Sequence, residues 1–149
     1  MSRKKDKLII GRSELIDLPE IKLRNLNAKV DTGAYTSSIH CNSIKLVTIN
    51  GKKVLNFDVL DPSHPKYEKK YFKFKKFKEA RIKNSFGKSE KRFIIEMDLK
   101  IYGQKIKTEF SLSDRSNMKF PILLGRKFIQ KGFVVDVTKT NLSKKASLK

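Results

Sequence analysis

Lys29-Val30-Asp31-Thr32-Gly33-Ala34 is the stretch on which the reading of this chain turns. Leu26, Ala28 and Val30 alternate with polar neighbours, as in a half-buried strand, and that strand runs into an Asp-Thr-Gly turn. Small hydroxyl residues follow at Thr36, Ser37 and Ser38. Each member of the triplet has a use. An Asp carboxylate serves as acid, base or ligand, Thr is stiff about its first side-chain torsion and brings a hydroxyl, and Gly admits close approach of another backbone. Alone, the triplet is ordinary turn chemistry, so its meaning depends on the rest of the chain.

The flanking segments read as short strands. Before the triplet, Leu8-Ile9-Ile10 leads to Gly11-Arg12, and Leu15, Ile16 and Leu18 precede Pro19. After it, Ile39 and Cys41 share a face, Ile44 and Leu46 follow, and Asn50-Gly51 signals a hairpin whose far side is Leu55, Phe57 and Val59. Asp61-Pro62-Ser63-His64-Pro65 is a loop. The Lys/aromatic segment from Tyr67 to Phe77 alternates Phe72 and Phe74 with Lys73 and Lys75; it reads as an edge strand protected by lysine, or as a surface for stacking nucleic-acid bases. Asn84-Ser85-Phe86-Gly87 is a turn. Phe93, Ile95, Met97, Leu99 and Ile101 then alternate with polar residues, Tyr102-Gly103-Gln104 turns, and Ile106, Thr108, Phe110 and Leu112 return, which predicts a long antiparallel hairpin. Ser113 to Asn117 is a polar loop. Ile122-Leu123-Leu124-Gly125 is a buried strand, Arg126 to Gln130 a short helix stopped by Gly132, and Phe133 to Val137 a last strand. Many short strands with almost no helix predict an all-β barrel or sandwich.

At 149 residues one domain is expected. Residues 1–7 read as a flexible basic arm, 8–137 as the domain, and 138–149 as a flexible Ser/Lys-rich tail. Thirty-five Lys and Arg against 15 Asp and Glu give a net charge of +20. Such a charge attracts polyanions, although lysine spread along the chain also fits a default surface residue. No RNA-binding motif accompanies it, so direct nucleic-acid binding rests on charge and aromatics alone. One cysteine, Cys41, excludes an internal disulfide framework, and no apolar run reaches membrane-span length, so a cytoplasmic protein without membrane contact is expected.

The order Asp31-Thr32-Gly33-Ala34 early, a long hairpin, then Ile122-Leu123-Leu124-Gly125-Arg126 late resembles the retropepsins, the retroviral-type aspartic peptidases. More closely, the chain resembles a bacterial family of small retropepsin-like proteins often labelled "ATP-dependent zinc protease". The matching segments are Ile9-Ile10-Gly11-Arg12, Ala28 to Ala34, Thr36-Ser37-Ser38-Ile39-His40, and Ser113 through Arg126. The resemblance implies a closed retropepsin-like β-barrel with one short C-terminal helix over 8–137. It also implies a mechanism in which two carboxylates sharing one proton hold a water, one as base and one as hydrogen-bond donor. The chain carries one Asp-Thr-Gly, so the pair is expected from a homodimer in which Asp31 meets its two-fold mate. In that scheme Thr32 bonds across the axis and Gly33 leaves room for substrate. Ala34, Ile122, Leu123, Leu124, Gly125 and Arg126 support the loop, and a flap covers the site, with 57–75 as the first expectation.

No Gly-rich phosphate loop and no His-Glu-x-x-His occurs, so neither cofactor nor metal is expected. His40 reads as a structural residue beside the Asp31 loop, Cys41 as a small buried hydrophobe, Asp114 and Arg115 as a loop ion pair, and Arg12 and Arg126 as partners of interface carboxylates. The family is associated with ATP-grasp glutamate ligases that extend a ribosomal protein. The resemblance therefore implies either a peptidase acting on a peptide or protein, with an acidic poly-glutamate tail as a candidate substrate, or a non-catalytic module that binds such tails, the ligase or the ribosome.

Overall fold

The computed structural model describes residues 6–83, 86–113 and 119–147. The arm at 1–5, the turn at Asn84-Ser85 and the Asp114-Arg115 pair lie outside the described residues. The strands are β1 (Leu8–Ile10), β2 (Ser13–Leu18), β3 (Leu23–Val30), β4 (Ser37–His40), β5 (Ile44–Ile49), β6 (Lys52–Phe57), β7 (Phe72–Phe74), β8 (Lys78–Lys83), β9 (Ser89–Ile101), β10 (Gln104–Ser113), β11 (Ile122–Leu124) and β12 (Phe133–Val135). The helices are α1 (Arg126–Ile129) and α2 (Leu142–Ser147).

Six strands in the order β10-β4-β11-β3-β2-β9 form a ring that the β9–β10 hairpin closes. β8 extends the sheet outward from β9. The barrel follows from side-chain alternation. Leu26, Ala28 and Val30 of β3 point inward, as do Ile95, Met97, Leu99 and Ile101 of β9 and Phe110 and Leu112 of β10. Closure removes the exposed edges that a six-stranded open sheet would carry. This is the expected all-β closed barrel, and α1 is the expected helix after Gly125.

The strands β5, β6 and β7 make a separate three-stranded sheet. Its turn uses Asn50 and Gly51 at positive φ, as the sequence predicts. Among the described residues β7 pairs only with β6, so the Lys/aromatic segment does contain an edge strand. Phe72 and Phe74 pack on the buried Phe57 ring, at centroid distances of 6.1 and 5.3 Å. Segment 57–75 is tied down rather than raised as a flap. Phe57, Val59 and Leu60 are buried. Asp58 accepts from Ser43 N and Tyr67 Oη, and His40 Nε2 meets Asp61 at 2.6 Å.

The stretch from Thr138, expected to be loose, is built into the fold. Thr140 bridges Ser13, and α2 packs on β1 and β2. The cause is Glu14, which faces inward beside Ile16 and Leu18 and is fully buried. Its carboxylate accepts from the amides of Gly11, Leu142 and Ser143 and from the Ser143 hydroxyl, at 2.8–3.0 Å. A buried carboxylate is tolerable when several donors converge on it, and here they tie the start of α2 to β2. Among the described residues, no helix is long and apolar enough to cross a membrane.

Candidate active site

The Asp31 turn hangs from two strands that do not pair with each other. β3 leads into it and β4 leads away, and β11 fills the gap, parallel to β3 and antiparallel to β4. Ile122 and Leu124 are fully buried and Leu123 is nearly so, which fixes the β11 backbone beneath the turn. Asp31 N donates to Leu124 O at 2.9 Å. Inside the turn, Gly33 N donates to Asp31 Oδ1 at 2.9 Å and Ala34 N to Asp31 O at 3.3 Å. The first of these bonds fixes one carboxylate oxygen, and the second closes the turn through the main chain. Thr32 and Gly33 are exposed and Asp31 is half-buried, so the triplet lies at the surface.

The far side of the turn is clamped by the chain after β11. Arg126 N and Lys127 N, free donors at the start of α1, are taken by the carbonyls of Ala34 and Tyr35 at 2.8 and 2.9 Å. Gly125 N donates to Ser37 Oγ at 3.0 Å. A Cβ at Gly125 would stand 2.6 Å from Tyr35 O, so the close passage requires glycine. Arg126 Nη1 donates to Thr32 O at 3.0 Å, and its guanidinium lies 5.7 Å from the centre of the Tyr35 ring. A cavity of about 570 Å³ opens beside Gly33 and Ala34, with Ser111 and Ser113 on its wall.

The sequence that builds this turn, and the apolar-apolar-Gly strand threaded between its legs, lies within the span of a family model. The model of the retropepsin-like aspartic endopeptidase RimB family covers residues 9–146. The chain belongs to the RimB-like family. A Desulfotalea psychrophila protein named "Probable alpha-L-glutamate ligase" is 34% identical over 146 residues, and a Shewanella pealeana protein of the same name 31% over 135. These matches cover 91% and 88% of this chain but only 29% of each relative, so the chain spans under a third of their length. A Legionella pneumophila protein of unknown function (DUF785) superposes with a TM-score of 0.71 at 25% identity, covering 91% of this chain and 98% of the other.

The RimB-like fold brings every sequence-predicted site residue together: Asp31, Thr32, Gly33 and Ala34 on the turn, Ile122 to Leu124 beneath it, Gly125 and Arg126 beside it. Within the chain the neighbouring side chains take defined partners. Arg126 and Arg12 each donate to a main-chain carbonyl of their own chain, those of Thr32 and Val137. His40, at the end of β4 away from the turn, pairs with Asp61. Ser37, which the sequence marks only as one of several hydroxyls, is a buried member of the clamp. Cys41 is buried as expected, and burial pushes its thiol well above the ordinary range.

Leu8-Ile9-Ile10-Gly11-Arg12 and Leu123-Leu124-Gly125-Arg126 share an apolar-apolar-Gly-Arg order, and the likeness has a geometric counterpart. β1 runs parallel to β12 as β11 runs parallel to β3, and an Asp follows each partner strand. Asp136 N donates to Ile10 O at 2.8 Å, as Asp31 N does to Leu124 O. Thr138 N donates to Asp136 Oδ1 as Gly33 N does to Asp31 Oδ1. Arg12 N donates to Lys139 O at 2.8 Å, matching Arg126 N on Ala34 O. The copies differ in chemistry. At the second turn the Thr138 hydroxyl also bonds Asp136, at 2.6 Å, and holds that carboxyl below the usual range. The position of Gly33 is taken there by a residue whose side chain occupies the carboxylate.

Proposed function

We propose that this RimB-like protein is a homodimeric aspartic endopeptidase in which Asp31 of each subunit activates water against a peptide bond. The observation that carries the reading is the exposure of Thr32 and Gly33 on a rigidly clamped turn with one Asp-Thr-Gly per chain. A second copy related by a two-fold axis covers these residues and supplies the second carboxylate. One carboxylate takes the proton of the water as its oxygen bonds the carbonyl carbon. The other gives its proton to the carbonyl oxygen; as the C–N bond breaks, the first carboxyl passes its proton to the amide nitrogen and a hydroxyl of the tetrahedral diol returns one to the second. Thr32 bonds across the axis and locks the two turns.

The substrate is a peptide or protein in the cytoplasm, and a net charge of +20 favours an acidic one such as a poly-glutamate tail. The relatives named "Probable alpha-L-glutamate ligase" support association with such a ligase, and the family resemblance adds the ribosome as a candidate partner. They also favour a second reading, a non-catalytic module that binds those partners. Asp31→Asn separates the two. Loss of cleavage with dimer and fold retained supports the peptidase; an unchanged cleavage rate overturns it; salt-sensitive binding of oligo-glutamate by a wild type that cleaves nothing supports the module.

A further inference from the structure

The cavity beside Gly33 and Ala34 has a second wall far away in sequence, formed by Ile82 and Lys83 of β8 and Arg92 of β9. With Arg126 on the near wall, three cationic side chains line it, and among the described residues no Asp or Glu does. The rest of its polar lining includes the hydroxyls of Ser38, Ser111 and Ser113, all buried. Hydroxyls and cations converging, with no carboxylate among the described lining residues, fit a ligand that is anionic and rich in acceptors.

The contrast with the neighbouring groove matters, because lysine is common on this surface. That groove, near Phe74 and Phe77, is also lysine-rich, but Glu96 and Glu109 line it, and Glu109 is already paired with Lys78 and Lys127. Its charge is balanced locally. In the cavity beside the turn, Glu90 pairs with Arg92 from outside the cavity, through Nη2 at 2.6 Å and Nε at 3.1 Å, offsetting part of its charge while orienting it, and Arg126 is braced by the Thr32 carbonyl. Both guanidinium groups are held in place before any ligand arrives, which lowers the ordering cost of binding.

The second observation is the edge of β8. It pairs with β9 on one side and, among the described residues, with no strand on the other. Such an edge accepts an extended peptide as an added strand, with main-chain bonds giving affinity and side-chain pockets giving selectivity.

We infer that the cleft between the Asp31 turn and β8 is the specificity site of the proposed peptidase, where Lys83 and Arg92 select an acidic side chain of an extended peptide lying along the β8 edge. The inference rests on the peptidase reading for its role in cleavage, but the binding site it names stands or falls separately. Lys83 and Arg92 are specificity residues; neither belongs to the Asp31 turn.

The test uses two fluorogenic peptides that differ only in Glu or Gln beside the cleavable bond, with wild type and the Lys83→Glu/Arg92→Glu double variant. The expected result is a loss of about tenfold or more per charge in kcat/KM on the Glu peptide, carried by KM, with the Gln peptide changed less than about twofold. An equal loss on both peptides, or no loss, overturns the inference. If wild type cleaves neither peptide, the peptidase reading fails, and the cleft is tested by fluorescence anisotropy of labelled oligo-glutamate on the full chain. Weaker binding to the double variant then upholds the site. Unchanged binding overturns it, as does a loss of equal size for labelled single-stranded RNA, which would mark a general polyanion surface.

Discussion

Arg126 reaches across 94 residues of sequence to donate from Nη1 to the carbonyl of Thr32 at 3.0 Å. With its own amide on Ala34 O, it grips the Asp31 turn at two points. The contact is exposed, so it adds little to global stability, about 1 kcal/mol or less. Its effect falls on the position of Asp31. Arg126→Ala is expected to leave the melting temperature within a few degrees and to lower kcat about tenfold or more, and Arg126→Lys restores the charge without the planar fork. Parallel melting curves and steady-state kinetics check this; an unchanged kcat shows that the second grip is dispensable.

The two glycines that let strands pass close to the two turns offer a paired test. A Cβ at Gly125 meets Tyr35 O at 2.6 Å, and one at Gly11 meets Lys139 O at 2.2 Å; both obstacles are backbone. Either substitution by Ala forces the turn to move, at a cost of about 1–3 kcal/mol or more. Gly125→Ala moves the turn that carries Asp31 and is expected to lose both stability and cleavage. Gly11→Ala moves the Asp136 turn and is expected to lose stability while retaining more activity per folded molecule. Activity normalised to the folded fraction, taken from urea titrations, separates the two.

What the sequence revealed and what it hid follow one physical line. The Asp31 turn and β11 were legible because their constraints are local: a turn triplet, an alternating strand and an apolar-apolar-Gly run. The β9–β10 hairpin was legible because one face is largely buried, so its period is clean. β8 was not, because charges at Lys78, Glu79, Arg81 and Lys83 mask a face on which only Ala80 and Ile82 are half-buried. The Asp136 turn has no sequence signature, since main-chain bonds to Ile10 and Lys139 define it. Helix α2 lacks an apolar stripe, and the carboxylate at its start comes from Glu14, 128 residues away. Charged residues are rarely fully buried, so Glu14 reads as surface until its donors are seen.

Removing that carboxylate strands four donors in the interior. Glu14→Ala is expected to cost on the order of 3 kcal/mol. It should also release the chain beyond Lys139, because the Leu142 and Ser143 amides lose their acceptor. Hydrogen exchange measured by mass spectrometry should show faster exchange in the segment that contains α2 than in the β9–β10 hairpin. Protection of that segment at the wild-type level would mean that packing of α2 on β1 and β2 suffices without Glu14.

Acid should weaken the fold through Glu109. Hydrogen bonds from Lys127 and Lys78 hold its carboxyl below the ordinary glutamate value, with the positive charges adding to the effect. A carboxylate lowered in the folded state contributes stability that is present above its unfolded pKa, about 4.3, and is lost as pH falls through the folded value. The melting temperature of wild type is therefore expected to drop between about pH 5 and pH 3. Glu109→Gln removes this titration. It should start lower at neutral pH, because Lys127 and Lys78 lose their partner, and then fall less steeply over the same interval. Parallel curves for wild type and variant would show that Glu109 does not contribute to the acid sensitivity.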